Sequence, residues 1–139
     1  MQGTNELEQA VLNKLLSGDH PALAVLRVQA EKARVVERKK TGVGFFCDFE
    51  VEASAPVLDG DFQISDVYDE LSNLAHGAGF VLFVRSGRLS MLEGFTFDEP
   101  WPQHVCDFKL SYDRDPRDLQ LPEKFRTDPC ANICRCYWR

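Results

Sequence analysis

The stretch Gly77-Ala-Gly-Phe-Val-Leu-Phe-Val-Arg-Ser-Gly-Arg-Leu-Ser-Met-Leu-Glu-Gly-Phe95 decides the fold. Gly79 to Val84 is almost wholly apolar, the pattern of a central strand covered on both faces. Ser86-Gly87 is a two-residue turn signal. The chain then returns from Arg88 to Phe97, with Leu89, Met91, Glu93 and Phe95 on one face and Leu92 on the other. A β-hairpin at the centre of an antiparallel sheet is the expectation.

Strand-like segments flank this hairpin on both sides. Phe45-Phe-Cys-Asp-Phe-Glu-Val51 alternates cleanly, with Phe45, Cys47, Phe49 and Val51 toward a core and Asp48 and Glu50 outward. Arg34 to Lys40 is a strand before it, joined through the turn Thr41-Gly-Val-Gly44, whose glycines permit positive φ. Ala55 to Gly60 reads as a loop, and Phe62-Gln-Ile-Ser65 starts another strand. Asp66 to Leu74 fits a helix through Val67, Leu71 and Leu74, or a longer strand through Ile64, Asp66 and Tyr68. The following hairpin leaves little room for a helix, which favours a strand or irregular segment. Asp98-Glu-Pro-Trp-Pro102 ends pairing, because proline cannot donate to the ladder. Val105 to Tyr112 is a last strand, with Cys106, Phe108, Leu110 and Tyr112 alternating against polar neighbours.

Upstream the period is near 3.6. Leu7, Val11 and Leu15 place a helix over residues 5–17, with Asn5 and Glu8 spaced for a capping box and Gly18 as its stop. A second helix starts at His20-Pro21, with Leu23, Leu26 and Ala30 on its apolar side. The expected fold is α+β: two N-terminal helices packed on a mostly antiparallel sheet of five or six strands. Residues 1–112 form a single domain, and 113–139 an irregular C-terminal extension packing on it or trailing from it. The expected core face carries Phe45, Phe49, Phe80, Leu82, Leu89, Met91, Phe108 and Leu110.

A chain of 139 residues suits one domain, and 44% hydrophobic with 27% charged residues is an ordinary globular balance. The net charge of −6 argues against a nucleic-acid partner, whose phosphates need a basic face. The basic stretch of Arg34, Arg38, Lys39 and Lys40 suits a solvated strand edge that deters edge pairing. Met1 to Glu8 lacks the basic and apolar regions of a secretory signal, and no run approaches the ~20 apolar residues of a membrane span. A cytoplasmic location follows as an expectation, with the five cysteines as thiols.

Several groups are candidate sites. Cys130, Cys134 and Cys136 could hold zinc with His104 or Cys106 as fourth ligand, although neither spacing is the usual C-x-x-C. The plainer reading is a cluster of reduced thiols. Asp98, Glu99 and Trp101 lie in a proline-stiffened acidic loop suited to a basic partner, or Trp101 folds back over the core edge. Asp66, Asp69 and Glu70, with Asp59 and Asp61 upstream, form a second acidic cluster, either a binding patch or a solvated face. His76, beside glycines that allow close approach, is the histidine to consider for chemistry, with Asp66 as a carboxylate. No Gly-x-Ser-x-Gly elbow is present, and the glycine-rich turn lacks the Lys-Ser/Thr of a phosphate loop.

The segments Thr41-Gly-Val-Gly-Phe-Phe46, Ile64-Ser-Asp66, His76-Gly-Ala-Gly-Phe80 and Met91-Leu-Glu-Gly-Phe-Thr-Phe-Asp-Glu-Pro-Trp-Pro102 together resemble a family of small uncharacterised bacterial proteins. That resemblance covers roughly residues 20–112 and brings no assigned catalytic residue with it. Small size and acidity also resemble immunity proteins of bacterial toxin systems, a likeness of character and not of motif. The functional expectation is a non-enzymatic, immunity-like protein-binding module. It would present an acidic edge to a basic protein partner, with no cofactor, nucleic acid or membrane, and a homodimer as a further candidate state. The alternative is a small hydrolase using His76 with a nearby carboxylate.

Overall fold

A computed structural model describes residues 1–70, 74–103, 107–122 and 125–126. Two helices, α1 (Glu6–Leu15) and α2 (Pro21–Glu31), precede eight strands. These are β1 (Ala33–Thr41), β2 (Gly44–Val51), β3 (Val57–Leu58), β4 (Phe62–Asp69), β5 (Ala78–Arg85), β6 (Arg88–Thr96), β7 (Leu110–Tyr112) and β8 (Phe125–Arg126). Six strands form one antiparallel sheet in the order β1-β2-β6-β5-β4-β7, and β3 pairs with β8 in a separate ribbon. The fold is α+β, with both helices on one face of the sheet.

The helix signals act as their residues dictate. Asn5 Oδ1 accepts from the Glu8 amide at 2.8 Å, and Glu8 Oε1 accepts from the Asn5 amide at 3.1 Å, completing the capping box. His20 caps α2 by accepting from the Ala22 amide at Nδ1, 3.0 Å away. Leu12, Leu15 and Leu26 from the helices meet Phe80, Leu82, Ile64 and Leu92 from the sheet in one buried cluster. Each such side chain contributes ~1.5–3 kcal/mol on burial. Gln29 is fully buried among them, and both ends of its amide group are hydrogen-bonded. It donates to the carbonyls of Pro56 and Gly87 at 2.8 Å each and accepts from the Leu89 amide at 2.9 Å. One polar side chain thus pins α2 to the turn of the β5–β6 hairpin.

Ser86 and Gly87 turn that hairpin with φ of 50° and 75°, as a primed two-residue turn requires. At the other hairpin the expectation of positive φ fails. Gly42 and Gly44 both lie outside the left-handed region. Gly44 is required for space, since a Cβ there would stand 1.9 Å from the Gly94 carbonyl oxygen of the neighbouring strand. Val57 and Leu58, expected in a loop, form the short strand β3. The last strand is shorter than expected, with Asp107 to Lys109 outside regular structure.

The faces of the sheet depart from the expectation in two ways. β5 and β6 slip register between Phe83 and Val84, so Phe83 pairs with Met91 while Val84 pairs with Leu89. The extra residue, Ser90, inverts the alternation. Leu89, Leu92, Gly94 and Thr96 are buried, while Met91, Glu93 and Phe95 take the opposite face, so Met91 leaves the expected core. Nor is β5 covered on both faces. Phe80, Leu82 and Val84 are buried beneath the helices, whereas Val81 and Phe83 stay partly exposed on the outer face.

Candidate functional site

The outer face of the sheet is the unusual surface of this molecule. On the solvent side of an antiparallel sheet, strands normally alternate apolar-in with polar-out. Here Phe46, Val81, Phe83, Met91 and Phe95 all lie outward, half-buried, and none belongs to the core beneath the helices. The strand registers bring them together. Phe46 lies opposite Glu93, Glu93 opposite Val81, and Met91 opposite Phe83.

At the end of the face the rings support one another. Phe95 and Phe97 meet edge-to-face at 5.3 Å, and Tyr68 stacks against Phe97 at 6.4 Å. Gly79 makes the room, because a Cβ there would come within 2.7 Å of the Phe95 ring and 3.2 Å of the Tyr68 ring. Phe97 itself is 37% exposed. Arg85 lies over the Phe83 ring at 5.4 Å.

Glu93 sits in the middle of this surface. Phe46 and Val81 are its direct cross-strand neighbours, and Met91 and Phe95 precede and follow it on the same face of β6. Directly opposed side chains on a sheet stand about 5 Å apart at Cβ. Glu93 is half-buried, and its carboxylate has no hydrogen bond or ion pair among the described residues.

Neither a family model, nor a curated protein, nor a solved structure matches this chain.

The residues singled out in the sequence have specific surroundings. Asp66 is 12% exposed and paired through both oxygens with Arg117, at 2.7 Å each. Asp69 is 3% exposed and accepts from the Lys109 amide at 3.3 Å. Glu99 accepts from the main-chain amides of Ala75 and His76, 3.0 Å each, and those bonds hold its carboxyl below the usual range. Trp101 stands edge-on to Phe45 at 5.3 Å, and its amide donates to the Gly42 carbonyl. Asp98, at φ 62°, and Glu70 are exposed. Asp69, Glu70, Asp98 and Glu99 gather at one end of the sheet, where Asp69 and Thr96 both pair with Ala78. Asp61 lies at the other end, accepting from the Ser86 amide at 2.7 Å. Most of the expected acidic edge is thus engaged within the fold, leaving Asp98 and Glu70 outward.

His76 is exposed. The carboxylate bonded to it, Glu99, binds its backbone and not its imidazole, and Asp66 is committed to Arg117. Cys130, Cys134 and Cys136, with His104 and Cys106, lie outside the described residues. Among the described residues no three of His, Cys, Asp and Glu group as metal ligands, and no helix is long and apolar enough to cross a membrane. Cys47 is a buried free thiol, pushed up to about 11 chiefly by burial and next by the charge of Glu8.

The alternation in the sequence groups Met91, Glu93 and Phe95 with Leu89, and of that set only Leu89 faces the core. Phe46, between core-facing Phe45 and Cys47, was the available signal, because strict alternation puts its ring on the outer face.

Proposed function

We propose that this chain is a non-enzymatic protein-binding module, immunity-like in acting by occupation of a basic partner, and that it works in the bacterial cytoplasm. The binding surface is the outer sheet face, not the acidic edge. One observation carries the reading: Phe46, Val81, Met91 and Phe95 flank the Glu93 carboxylate, which has no partner among the described residues, on a face that neither α1 nor α2 covers. Contiguous outward apolar surface of this kind marks an interaction site. A half-buried carboxylate at its centre, on a chain of net charge −6, complements a basic surface and not an acidic one.

The test compares the wild-type chain with the double variant Phe46→Ala/Phe95→Ala, after both give the same helical and sheet content by circular dichroism. A basic protein should be captured by wild type from bacterial lysate and should rebind when purified. Its binding should weaken with salt and be lost in the double variant. A partner retained by the double variant but lost in Glu70→Lys/Asp98→Lys would move the site to the acidic edge. A wild-type dimer that the double variant turns monomeric would assign the face to a second copy. Either result, or no partner at all, overturns the proposal.

A further inference from the structure

We infer that Glu93 is the seat for an arginine side chain of the partner; this rests on the outer face being the docking surface. Glu93 is half-buried and its carboxylate is unpaired among the described residues, with Phe46 and Val81 across the strands and Met91 and Phe95 along its own. Lys39 and Arg85 make no ion pair with Glu93 among the described residues. Lys39 lies two strands away in the same row, beyond Phe46, and approaches Glu37 at 4.0 Å. Arg85 rests over Phe83. A partner that covers this face removes the remaining water from the Glu93 carboxylate. Burying a carboxylate without a counter-charge is heavily unfavourable, so the partner must bring a cation to that point.

The surroundings choose between the two basic side chains. A guanidinium is planar and weakly hydrated. It offers a two-pronged fork to a carboxylate while its flat faces stack on aromatic rings. Phe46 and Phe95 supply such rings beside Glu93. An ammonium is compact and strongly hydrated, and it would have to shed that water among Phe46, Val81, Met91 and Phe95. The face therefore reads arginine flanked by apolar residues, with Glu93 setting the charge and the rings setting the shape.

The probes are three pentapeptides with phenylalanine and leucine around a central arginine, lysine or citrulline. Binding is followed by amide chemical shifts of the full chain at Phe46, Glu93 and Phe95. The arginine peptide should bind at least tenfold more tightly than the citrulline peptide and several-fold more tightly than the lysine peptide. Glu93→Gln, nearly isosteric and outside the core, should bring the arginine peptide down to the citrulline level. Equal binding of all three peptides at the face, or an arginine preference that survives Glu93→Gln, overturns the Glu93 assignment and leaves the docking face standing. Absence of any shift at the face with all three peptides overturns both.

Discussion

Asp66 and Arg117 lie 51 positions apart and share two hydrogen bonds of 2.7 Å. The same guanidinium donates to the carbonyls of Leu15 and Ser17 at the end of α1 and sits 4.3 Å over the Tyr112 ring. A single arginine from the segment after β7 thereby joins β4, β7 and the first helix. Cations at a helix C-terminus are favourable because the last carbonyls lack helical partners.

Removing the carboxylate should loosen that junction. Asp66→Asn leaves a guanidinium, 13% exposed, without its counter-charge. The expected cost is about 3 kcal/mol, at the low end for a broken buried pair because the site retains some water. Chemical denaturation measures it, and hydrogen exchange should show faster exchange at Asp113, whose amide donates to the Asp66 carbonyl. Unchanged stability would show that Leu15 and Ser17 suffice to hold Arg117.

A second pair ties the helix layer to the edge strand. Arg38 Nε donates to Glu8 Oε2 at 2.8 Å, and Glu8 is only 2% exposed at its side chain against 32% for Arg38. The asymmetry predicts asymmetric variants. Arg38→Met strands a buried carboxylate and should cost about 3 kcal/mol or more. Glu8→Gln, which keeps the capping geometry, should cost less, since the orphaned arginine can reach water. Paired urea titrations decide the order.

Cys47 supplies a pH prediction. Its thiol titrates near 11 in the folded chain against about 9 when free, so between these values the folded state holds a proton that the unfolded state has lost. Stability should therefore fall as pH rises from 9 to 11, by at most about 1.4 kcal/mol per unit from this group. Cys47→Val should lack that component, so the gap between the two proteins narrows or reverses with rising pH. In native protein near pH 8, peptide mapping after iodoacetamide should find Cys47 unmodified until denaturant is added.

Glu99 gives the opposite sign. Its folded pKa lies below its ordinary 4.5 because the Ala75 and His76 amides bond the charged form. Its stabilisation is complete above that ordinary value and is lost as pH falls through the lower folded one. The Ala75 and His76 amide resonances should shift together with a midpoint below 4.5, and Glu99→Gln should abolish that transition. A midpoint at or above 4.5 would show that the two bonds do not persist in solution.

How much of this was legible in the chain depends on how local the cause is. Asn5 with Glu8, His20 before Pro21, and Ser86-Gly87 act within a few residues, and each forms the cap or turn its chemistry implies. The alternation of Phe45, Cys47 and Phe49 likewise fixed a core face without reference to any other strand. These local rules determined two helices on an antiparallel sheet. They could not reveal the slip at Ser90, because a bulge is a relation between two strands and leaves no mark in either alone. That one-residue shift sends Leu89 inward and turns Met91, Glu93 and Phe95 outward to meet Phe46 and Val81. Which carboxylates are engaged was equally a tertiary matter. Asp66 meets Arg117, and Glu99 the Ala75 amide, only after the chain has folded back, while Glu93 is left among apolar neighbours by the register of β2, β6 and β5. Sequence determined what each strand must bury, and strand pairing, which acts over long separations, decided what the sheet shows to a partner.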